Sequence, residues 1–297
     1  MPAGRAPECY KITVFARRLA TLLLLPLLLV AAAGARSEAS ARNLLRVVTI
    51  NVAGLPEGMS RSRPVKNLPL IGERLNDYDL AFVQEDFAYP SLLRTRLRLP
   101  YQSKGFVRGN RYDFGDGLSL FSRRVFSEPS RTAWTACHGV TDSFFDCLTP
   151  KGFTTTTLEL APGASLDVVN VHLDAGFSPN DRKARAAQLE QLARALGSAS
   201  RDRALLVAGD FNLSSAELAA LDELERNMGL RDACRALSCR EPRRIDRVLH
   251  RSSSSLVLVP IAWRVDPSFV DAEGLPLSDH SAVAVTFRWQ NVRSARP

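Results

Sequence analysis

Polar residues that could bind a cation or transfer a proton recur at the ends of segments that read as buried strands. The set is Asn51, Glu85, His172, Asp210, Asn212, Asp246, Asp279 and His280. Carboxylate and amide oxygens are the ligands that Mg²⁺ prefers, together with water and substrate phosphate. Histidine beside carboxylates is suited to proton transfer near neutral pH. The pattern therefore predicts a hard-cation site with proton-transfer groups beside it.

Each of these residues also has an ordinary structural explanation. Glu85 after a strand is typical of a loop residue, and the segment GDFN (209–212) has the composition of a tight turn. SDH (278–280) before a strand is also typical of a helix cap or a solvated corner, and His172 in an apolar strand is also typical of a hydrogen-bonded core residue. Asn212-Leu213-Ser214 matches a glycosylation sequon, but a sugar there would block the predicted site.

Nine apolar or alternating segments predict the strands that must position these side chains. They are Leu44–Val52, Asp79–Gln84, Gly117–Ser122, Gly152–Leu160, Asp167–Leu173, Ala204–Ala208, Ile245–Leu249, Leu256–Ile261 and Ser281–Phe287. Three helices are predicted between them, at Leu68–Leu75, Arg182–Leu196 and Ser214–Met228. Asn180 or Asp181 is the expected N-cap of the second helix, and Ser214 or Ser215 that of the third.

The composition is that of an ordinary folded domain. The chain has 297 residues, of which 45% are hydrophobic and 24% charged, and this excludes collagen-like, disordered and coiled-coil classes. Strand signals recur from end to end without a linker, so residues 36–297 are expected to form one α/β domain with helices outside its sheets.

The net charge of +8 suits an anionic partner such as a membrane surface or nucleic acid. The protein is expected to be a monomer.

The N-terminal segment is typical of a secretory signal peptide. Residues 1–18 hold four basic side chains, the apolar run Leu19–Ala33 follows, and Ala33-Gly34-Ala35 has the small-residue form of a cleavage site. A helix of 15 residues rises only about 22 Å, short of the roughly 30 Å hydrocarbon core. We therefore expect residues 1–35 to be removed and the protein to be secreted, with an uncleaved anchor as the alternative.

Cysteine usage agrees with export. Four cysteines follow the signal segment, and an even number in an exported chain predicts disulfides. Three connectivities are open, and the sequence-local one, Cys137–Cys147 with Cys234–Cys239, is favoured. A zinc site is the alternative, but the spacings do not form paired C-x-x-C motifs.

Taken in order, six segments resemble the endonuclease/exonuclease/phosphatase superfamily, which includes deoxyribonucleases, abasic-site endonucleases, inositol polyphosphate 5-phosphatases and secreted neutral sphingomyelinases. The segments are TINVAG, FVQED, VNVHLDAG, VAGDFN, RIDRV and SDHSAV, spread over residues 46–285. The resemblance implies a four-layer α/β/β/α sandwich of class α/β (α+β), with two packed mixed sheets.

The resemblance also implies a role for each matched residue. The metal-ligand positions fall on Asn51, Glu85 and Asp279, and the catalytic positions on His172, Asp210, Asn212, Asp246 and His280. His280 is the candidate base, held in one tautomer by Asp246, and Asp210 is a second candidate for that role. His172 is the candidate acid or phosphate donor, and Asn212 also contacts the phosphate. The implied cofactor is Mg²⁺, with Mn²⁺ and Co²⁺ as alternatives.

Three features favour the sphingomyelinase-like branch. Lys151-Gly152-Phe153 resembles that branch's strand opening and implies that Lys151 reaches the phosphate. The segment VHLDAG resembles its NTHLDAG, although Val171 stands where Thr is usual. Phe144 and Phe145 lie inside the expected Cys137–Cys147 loop, where they are expected to dip into lipid or to fold back onto the core.

The expected activity is therefore hydrolysis of a phospholipid headgroup, sphingomyelin to ceramide and phosphocholine, at a membrane surface. Nucleic acid is the alternative substrate, because basic residues that could contact phosphates recur at Arg94, Arg96, Arg98, Arg108 and Arg111. A soluble inositol phosphate fits secretion poorly. A non-catalytic binding or toxin subunit would need a broken site, yet every expected position is filled.

Overall fold

Strand β1, Leu44–Asn51, illustrates how the sequence builds a sheet that is buried on both faces. Val47 and Val48 are adjacent and both fully buried. Because successive strand side chains point to opposite faces, both faces of this strand must be covered. The structure, a computed structural model, describes residues 43–105, 115–139, 146–198 and 202–292.

The described strands form two mixed sheets. Those of the first are β1, β2 (Leu80–Gln84), β3 (Tyr101–Gln102), β4 (Ser119–Ser122), β11 (Leu256–Val265) and β12 (Val283–Asn291). Those of the second are β5 (Ser130–Ala133), β6 (Gly152–Ala161), β7 (Ala164–His172), β8 (Ala204–Asp210), β9 (Arg231–Asp232) and β10 (Asp246–Arg251). Their orders are β11-β12-β1-β2-β4-β3 and β5-β6-β7-β8-β10-β9. The pairs β1–β2 and β7–β8 are parallel, so their carboxyl ends lie at one edge of each sheet.

The described helices are α1 (Pro64–Leu75), α2 (Pro90–Arg94), α3 (Pro179–Ser198), α4 (Leu218–Met228) and α5 (Ala233–Ala236), with a 3₁₀ turn at Ser215–Glu217. Helices α1 to α4 cover the outer faces, and Ala233 of the short helix α5 packs in the cluster between the sheets. Among the described residues, none of the helices combines the length and the apolar content needed to span a bilayer.

Three apolar clusters separate the layers. Val47 of the first sheet and Leu206 of the second belong to the cluster between the sheets. Val48 packs in a second cluster with α1, and Val207 packs in a third with α3 and α4. The alternation between neighbouring strand residues, Val47 with Val48 and Leu206 with Val207, thus assigns one face of each sheet to the centre and the other to the helices. The predicted α/β/β/α sandwich is confirmed.

All nine predicted strands and all three predicted helices are present, with shifted ends. Helix α3 begins at Pro179 rather than after Asn180 or Asp181. Ser178 and Asp181 exchange hydrogen bonds across its first turn, 2.7 Å from Ser178 N to Asp181 Oδ2 and 3.2 Å from Asp181 N to Ser178 Oγ. Ser178 therefore takes the capping position, and Pro179 fits the first helical position because its missing N–H is not needed there. Ser214 caps the turn before α4, as predicted.

The described residues also include both predicted disulfides, Cys137–Cys147 and Cys234–Cys239. The described residues from Leu45 onward form one compact unit. The predicted signal peptide, residues 1–35, and its boundary lie outside the described residues, so both stay predictions.

Candidate active site

The register of the second sheet brings three site residues side by side. His172 pairs with Asp210 across parallel strands β7 and β8, and Asp210 pairs with Asp246 across antiparallel strands β8 and β10. All three side chains are buried. Strand β8 runs through Asp210, so the first two residues of the segment GDFN (209–212), which has the composition of a turn, belong to the strand.

The first sheet positions Asn51, at the end of β1, and Glu85, directly after β2, beside these three residues. Asn51 Nδ2 donates to Glu85 Oε1 at 2.9 Å and to Asp210 Oδ2 at 3.2 Å, so one amide joins carboxylates from both sheets. The Oδ1 atom of Asn51 accepts from Ala53 N at 3.0 Å. In this arrangement Asn51 orients the carboxylates, and its role as a direct metal ligand stays a prediction.

Backbone strain is concentrated at this edge. Ala53, Glu85 and Asn212 are non-glycine residues with φ of 49°, 58° and 49°. Such conformations cost free energy for residues with a side chain and persist where surrounding contacts enforce them. The Asn212 amide supplies such contacts, because Nδ2 donates to Leu173 O at 3.0 Å and to Asp210 Oδ2 at 3.3 Å.

His172 lies fully buried among these carboxylates. Its Nε2 is 3.6 Å from Asp210 Oδ2 and 3.8 Å from Glu85 Oε1. Within the described part of the chain, neither ring nitrogen has a hydrogen-bond partner. Burial, together with the charges of Lys151 and His280, lowers the pKa of His172 well below its usual value. A neutral ring can donate one hydrogen bond to a phosphate oxygen, which favours the phosphate-donor role over that of a cationic acid.

His280 forms a dyad with Asp246. Its Nδ1 lies 3.1 Å from both Asp246 oxygens, which leaves Nε2 toward Asp210 at 3.8 Å. Burial opposes the charged ring, but the hydrogen bond to Asp246 and the charges of Asp210, Asp246 and Asp279 raise the pKa of His280 to about 10. Burial and the neighbouring Asp246 raise the pKa of Asp210 to about 6, against the opposing effect of His280. At neutral pH the proton of this pair therefore lies on His280, with the Asp210 carboxylate beside it.

Lys151 provides a buried positive charge at the edge of the site. Its Nζ lies 2.6 Å from Asp146 Oδ1, and the two side chains are almost fully buried. Burial opposes the charge of Lys151, but Asp146, Glu85 and Asp210 raise its pKa above the usual value. Burial raises the pKa of Asp146 to about 6, although Lys151 acts against this. The charges of Glu85 and Asp210 act on Lys151, which places it beside the other site residues.

Two further predictions have different outcomes. Asp279 is exposed, with Oδ1 accepting from Ser278 Oγ at 3.4 Å, and it adds its charge to the field at His280. Its role as a ligand stays a prediction. Phe144 and Phe145, predicted to contact lipid, lie outside the described residues.

Three residues that support the site were not predicted from the sequence. Asp146 is the partner of Lys151, and the spacing D-x₄-K beside a predicted disulfide was the available signal. Gln84 Nε2 donates to Asn170 Oδ1 at 2.7 Å, beneath the site. Asn170 Nδ2 donates to Val83 O at 2.9 Å, joining the sheets, and an amide two residues before His172 in an apolar strand was the signal.

The donor set fits a hard divalent cation. Ligand atoms of Asp210, Asp246 and His280 lie within 4.8 Å of one another, and Asn51 connects this group to Glu85. The carboxylates of Asp210 and Asp246 are buried on neighbouring strands, and burial together with the charge of Asp246 raises the pKa of Asp210. A bound divalent cation would stabilise both carboxylates in their charged form and would polarise a phosphoryl oxygen.

The chain is similar to known proteins in sequence and in fold. A sequence model described as the Endonuclease/Exonuclease/phosphatase family matches residues 48–280. A sphingomyelinase of Mycobacterium tuberculosis (strain ATCC 25618 / H37Rv) is 32% identical over 265 residues, which cover 82% of this chain and 52% of the relative. The chain thus spans about half the length of that relative.

Two solved structures share the fold. A mutant of beta toxin from Staphylococcus aureus, with bound magnesium ions, is 18% identical with a TM-score of 0.60, covering 81% of this chain and 98% of its own. TDP2 from D. rerio, complexed with a single-strand DNA product, is 20% identical with a TM-score of 0.64, covering 82% and 98%. The matched family segment contains Glu85, His172, Asp210, Asp246 and His280. The chain belongs to the endonuclease/exonuclease/phosphatase family.

Proposed function

We propose that this protein is a secreted, metal-dependent phosphodiesterase that hydrolyses a phospholipid headgroup, converting sphingomyelin to ceramide and phosphocholine. The strongest support for hydrolysis is the convergence of His172, Asp210 and the Asp246–His280 dyad at one edge of both sheets. The sphingomyelinase of M. tuberculosis, at 32% identity, supports the choice of lipid. The two disulfides support export.

The role proposed for each residue follows from its protonation state. His280 is oriented by Asp246 through Nδ1, and its pKa of about 10 keeps the ring protonated in the cation-free protein. The charge of a bound divalent cation would lower that pKa, so that Nε2 could receive a proton from the attacking water, and the leaving oxygen of the lipid would take one proton from solvent. Neutral His172 donates a hydrogen bond to a phosphate oxygen, and Lys151 balances the negative charge of the phosphate. Asn212 orients Asp210 through its amide, and the phosphate contact that the family resemblance implies for it stays a prediction. Glu85 and Asp210, with Asn51 beside them, would hold the divalent cation. When bound, that cation supplies Lewis-acid stabilisation of the transferred phosphoryl group.

A nuclease is the second candidate, and the TDP2 complex with DNA supports it at the level of fold. Two of the five arginines that favoured it, Arg94 and Arg96, form ion pairs with acidic side chains. Arg94 pairs with Asp86 at 2.8 Å and stacks over Phe121. Arg96 pairs with Glu73 at 3.0 Å. Arg108 and Arg111 lie outside the described residues.

A paired turnover assay tests the proposal. The purified chain is incubated with vesicles of phosphatidylcholine and sphingomyelin, and separately with plasmid DNA, each with magnesium and with chelator. We expect release of phosphocholine that chelator abolishes, no nicking, and loss of release in His280→Gln. DNA nicking without phosphocholine release would overturn the lipid proposal in favour of the nuclease. Turnover of neither substrate by a folded wild type would reject both.

A further inference from the structure

Large apolar side chains are exposed on the loops around the active site. Four of those in the described chain lie at the site end of the two sheets, on loops that begin or end at site residues. They are Met59, Leu148, Phe177 and Leu275, with exposed fractions of 63%, 63%, 80% and 51%, and we call them the apolar rim. Exposed apolar groups that surround a site, rather than being scattered singly, indicate a binding surface.

Phe177, the most exposed, is presented by a loop with a fixed backbone. The buried guanidinium of Arg185 donates to the carbonyls of residues 174, 175 and 176 at 3.0, 2.8 and 3.0 Å. The same guanidinium also donates two hydrogen bonds to the Glu217 carboxylate, which fix its position. Gly176 has φ of +84°, and a Cβ there would lie 2.3 Å from the Asp181 carboxylate. The backbone at residues 174–176 is therefore fixed by these bonds, and the side chain that directly follows it, Phe177, is 80% exposed.

Leu148 lies on a second loop that is tied to the first. Asp146 Oδ2 accepts from Ala175 N at 2.6 Å, and His138 N donates to Asp174 Oδ2 at 2.8 Å. Leu148 follows directly after the disulfide-bonded Cys147 and precedes Lys151 by three residues. This half of the apolar rim thus adjoins both His172 and Lys151 along the chain.

Met59 and Leu275 form the other half, on the first sheet. Met59 lies between β1 and α1, and Leu275 lies between β11 and β12, just before His280. These loops are also joined, because Ser62 Oγ and Asn67 Nδ2 donate to Leu277 O at 3.0 and 2.8 Å. Two hydrogen-bonded loop pairs therefore flank the site from opposite sheets.

Exposed cations accompany the apolar side chains. Arg182 and Lys183 are exposed at the start of α3, next to Phe177. On the other half, exposed Arg61 is offset by exposed Glu57 and Glu273, so the excess of positive charge lies beside Phe177. Aromatic and aliphatic side chains beside cations suit the boundary between headgroups and acyl chains of a bilayer with anionic lipid. We propose that the apolar rim docks the protein on such a bilayer and brings a headgroup to the site. This inference rests on the proposed function for its choice of a lipid partner.

The test measures binding separately from turnover. Vesicles of phosphatidylcholine and sphingomyelin, with and without phosphatidylserine, are sedimented with protein in chelator. We expect the double variant Phe177→Ser/Leu148→Ser to lose about tenfold or more in partitioning, and Met59→Ser/Leu275→Ser to lose severalfold. Lys183→Glu should weaken binding only where phosphatidylserine is present. Val125→Ser is the matched control, since Val125 is 53% exposed but follows β4 at the opposite end of the sheet.

Each outcome decides between the inference and the proposed function. Rim variants with wild-type unfolding midpoints and wild-type partitioning would overturn the inference, as would a wild type that does not bind vesicles at all. Loss of binding to plasmid DNA rather than to vesicles would assign the surface to nucleic acid and also overturn it. A wild type that binds vesicles through the apolar rim but hydrolyses no phospholipid in the presence of magnesium would support the inference. The same result would reject the proposed function.

Discussion

His172 Nε2 lies 3.6 Å from Asp210 Oδ2, and the two residues are direct partners in the parallel register of β7 and β8. Because strand side chains alternate between faces, a slip of one residue would turn one of the two away from the other. The site therefore depends on the same register that buries the apolar cluster between the sheets. Asn51, which reaches Asp210 from the first sheet, makes the packing of the two sheets a second condition.

Loss of the His280 ring should lower turnover far more than it lowers stability. We expect His280→Gln to reduce kcat by about 10²–10⁴-fold, because no group would then accept the water proton at Nε2. Asp246→Asn should cost less, about 10–10²-fold, because it acts only by orienting and charging the ring. The double variant should be close to His280→Gln alone. Independent, multiplicative losses in steady-state kinetics would show that Asp246 has a separate role.

The His280 pKa should be directly measurable in chelator-treated protein. The ring has a folded pKa of about 10 against an ordinary value of 6.5, so the native state holds its proton where the unfolded chain releases it. Its contribution to the free energy of unfolding is thus full below about pH 6.5 and is lost as pH rises through about 10. Imidazole NMR titration should show Asp246→Asn lowering this pKa by about one unit or more. An unshifted ring in that variant would contradict the dyad.

The strand ends were predictable because their signal is local. Alternating or continuous apolar runs place strands, and a polar residue at the end of such a run is visible without knowledge of the fold. The predicted set at Asn51, Glu85, His172, Asp210 and His280 is brought together for this reason. The family resemblance then supplied the arrangement of the strands in two packed sheets, which periodicity alone does not give.

The supporting contacts were not predictable, because each depends on a partner distant in sequence. Asn170 is 87 residues from the Val83 carbonyl that it binds, and Arg185 is 32 residues from Glu217. The start of α3 was misplaced for a local reason. Ser, Asn and Asp all favour caps, and only the exchange of hydrogen bonds between Ser178 and Asp181 distinguishes them.

Divalent cations should stabilise the protein through Glu85. Magnesium at about 100 times its dissociation constant adds roughly 2.7 kcal/mol to the free energy of unfolding if it binds only the native state. For a domain of this size that corresponds to a rise of about 5–10 °C in the unfolding midpoint. Glu85→Gln should abolish the rise, since it removes a charged oxygen donor linked to Asn51. Glu159→Gln, at the far end of β6, is the control and should leave the rise unchanged. An equal rise in Glu85→Gln would place the cation elsewhere.

The disulfide Cys137–Cys147 should stabilise the fold modestly. It closes a loop with a sequence separation of 10, for which chain entropy gives about 2–3 kcal/mol. We expect Cys137→Ser/Cys147→Ser to lower the unfolding midpoint by about 5–10 °C in calorimetry. Peptide mapping of the oxidised wild type should recover Cys137 joined to Cys147 and Cys234 joined to Cys239. Any other connectivity, or a reduced wild type of equal stability, would contradict the expectation.

Asn170 should be more important for stability than its size suggests. Its side chain donates to Val83 O and Ser119 O and accepts from Gln84, so it joins β7 to two strands of the other sheet. Asn170→Ala would leave these buried groups without a partner, at a cost of about 2–5 kcal/mol in denaturant unfolding. Asn227→Ala, exposed on α4, is the matched control and should stay within about 0.5 kcal/mol of wild type. A loss at Asn170 as small as at Asn227 would mean that water replaces the amide and that the sheets are held by apolar packing alone.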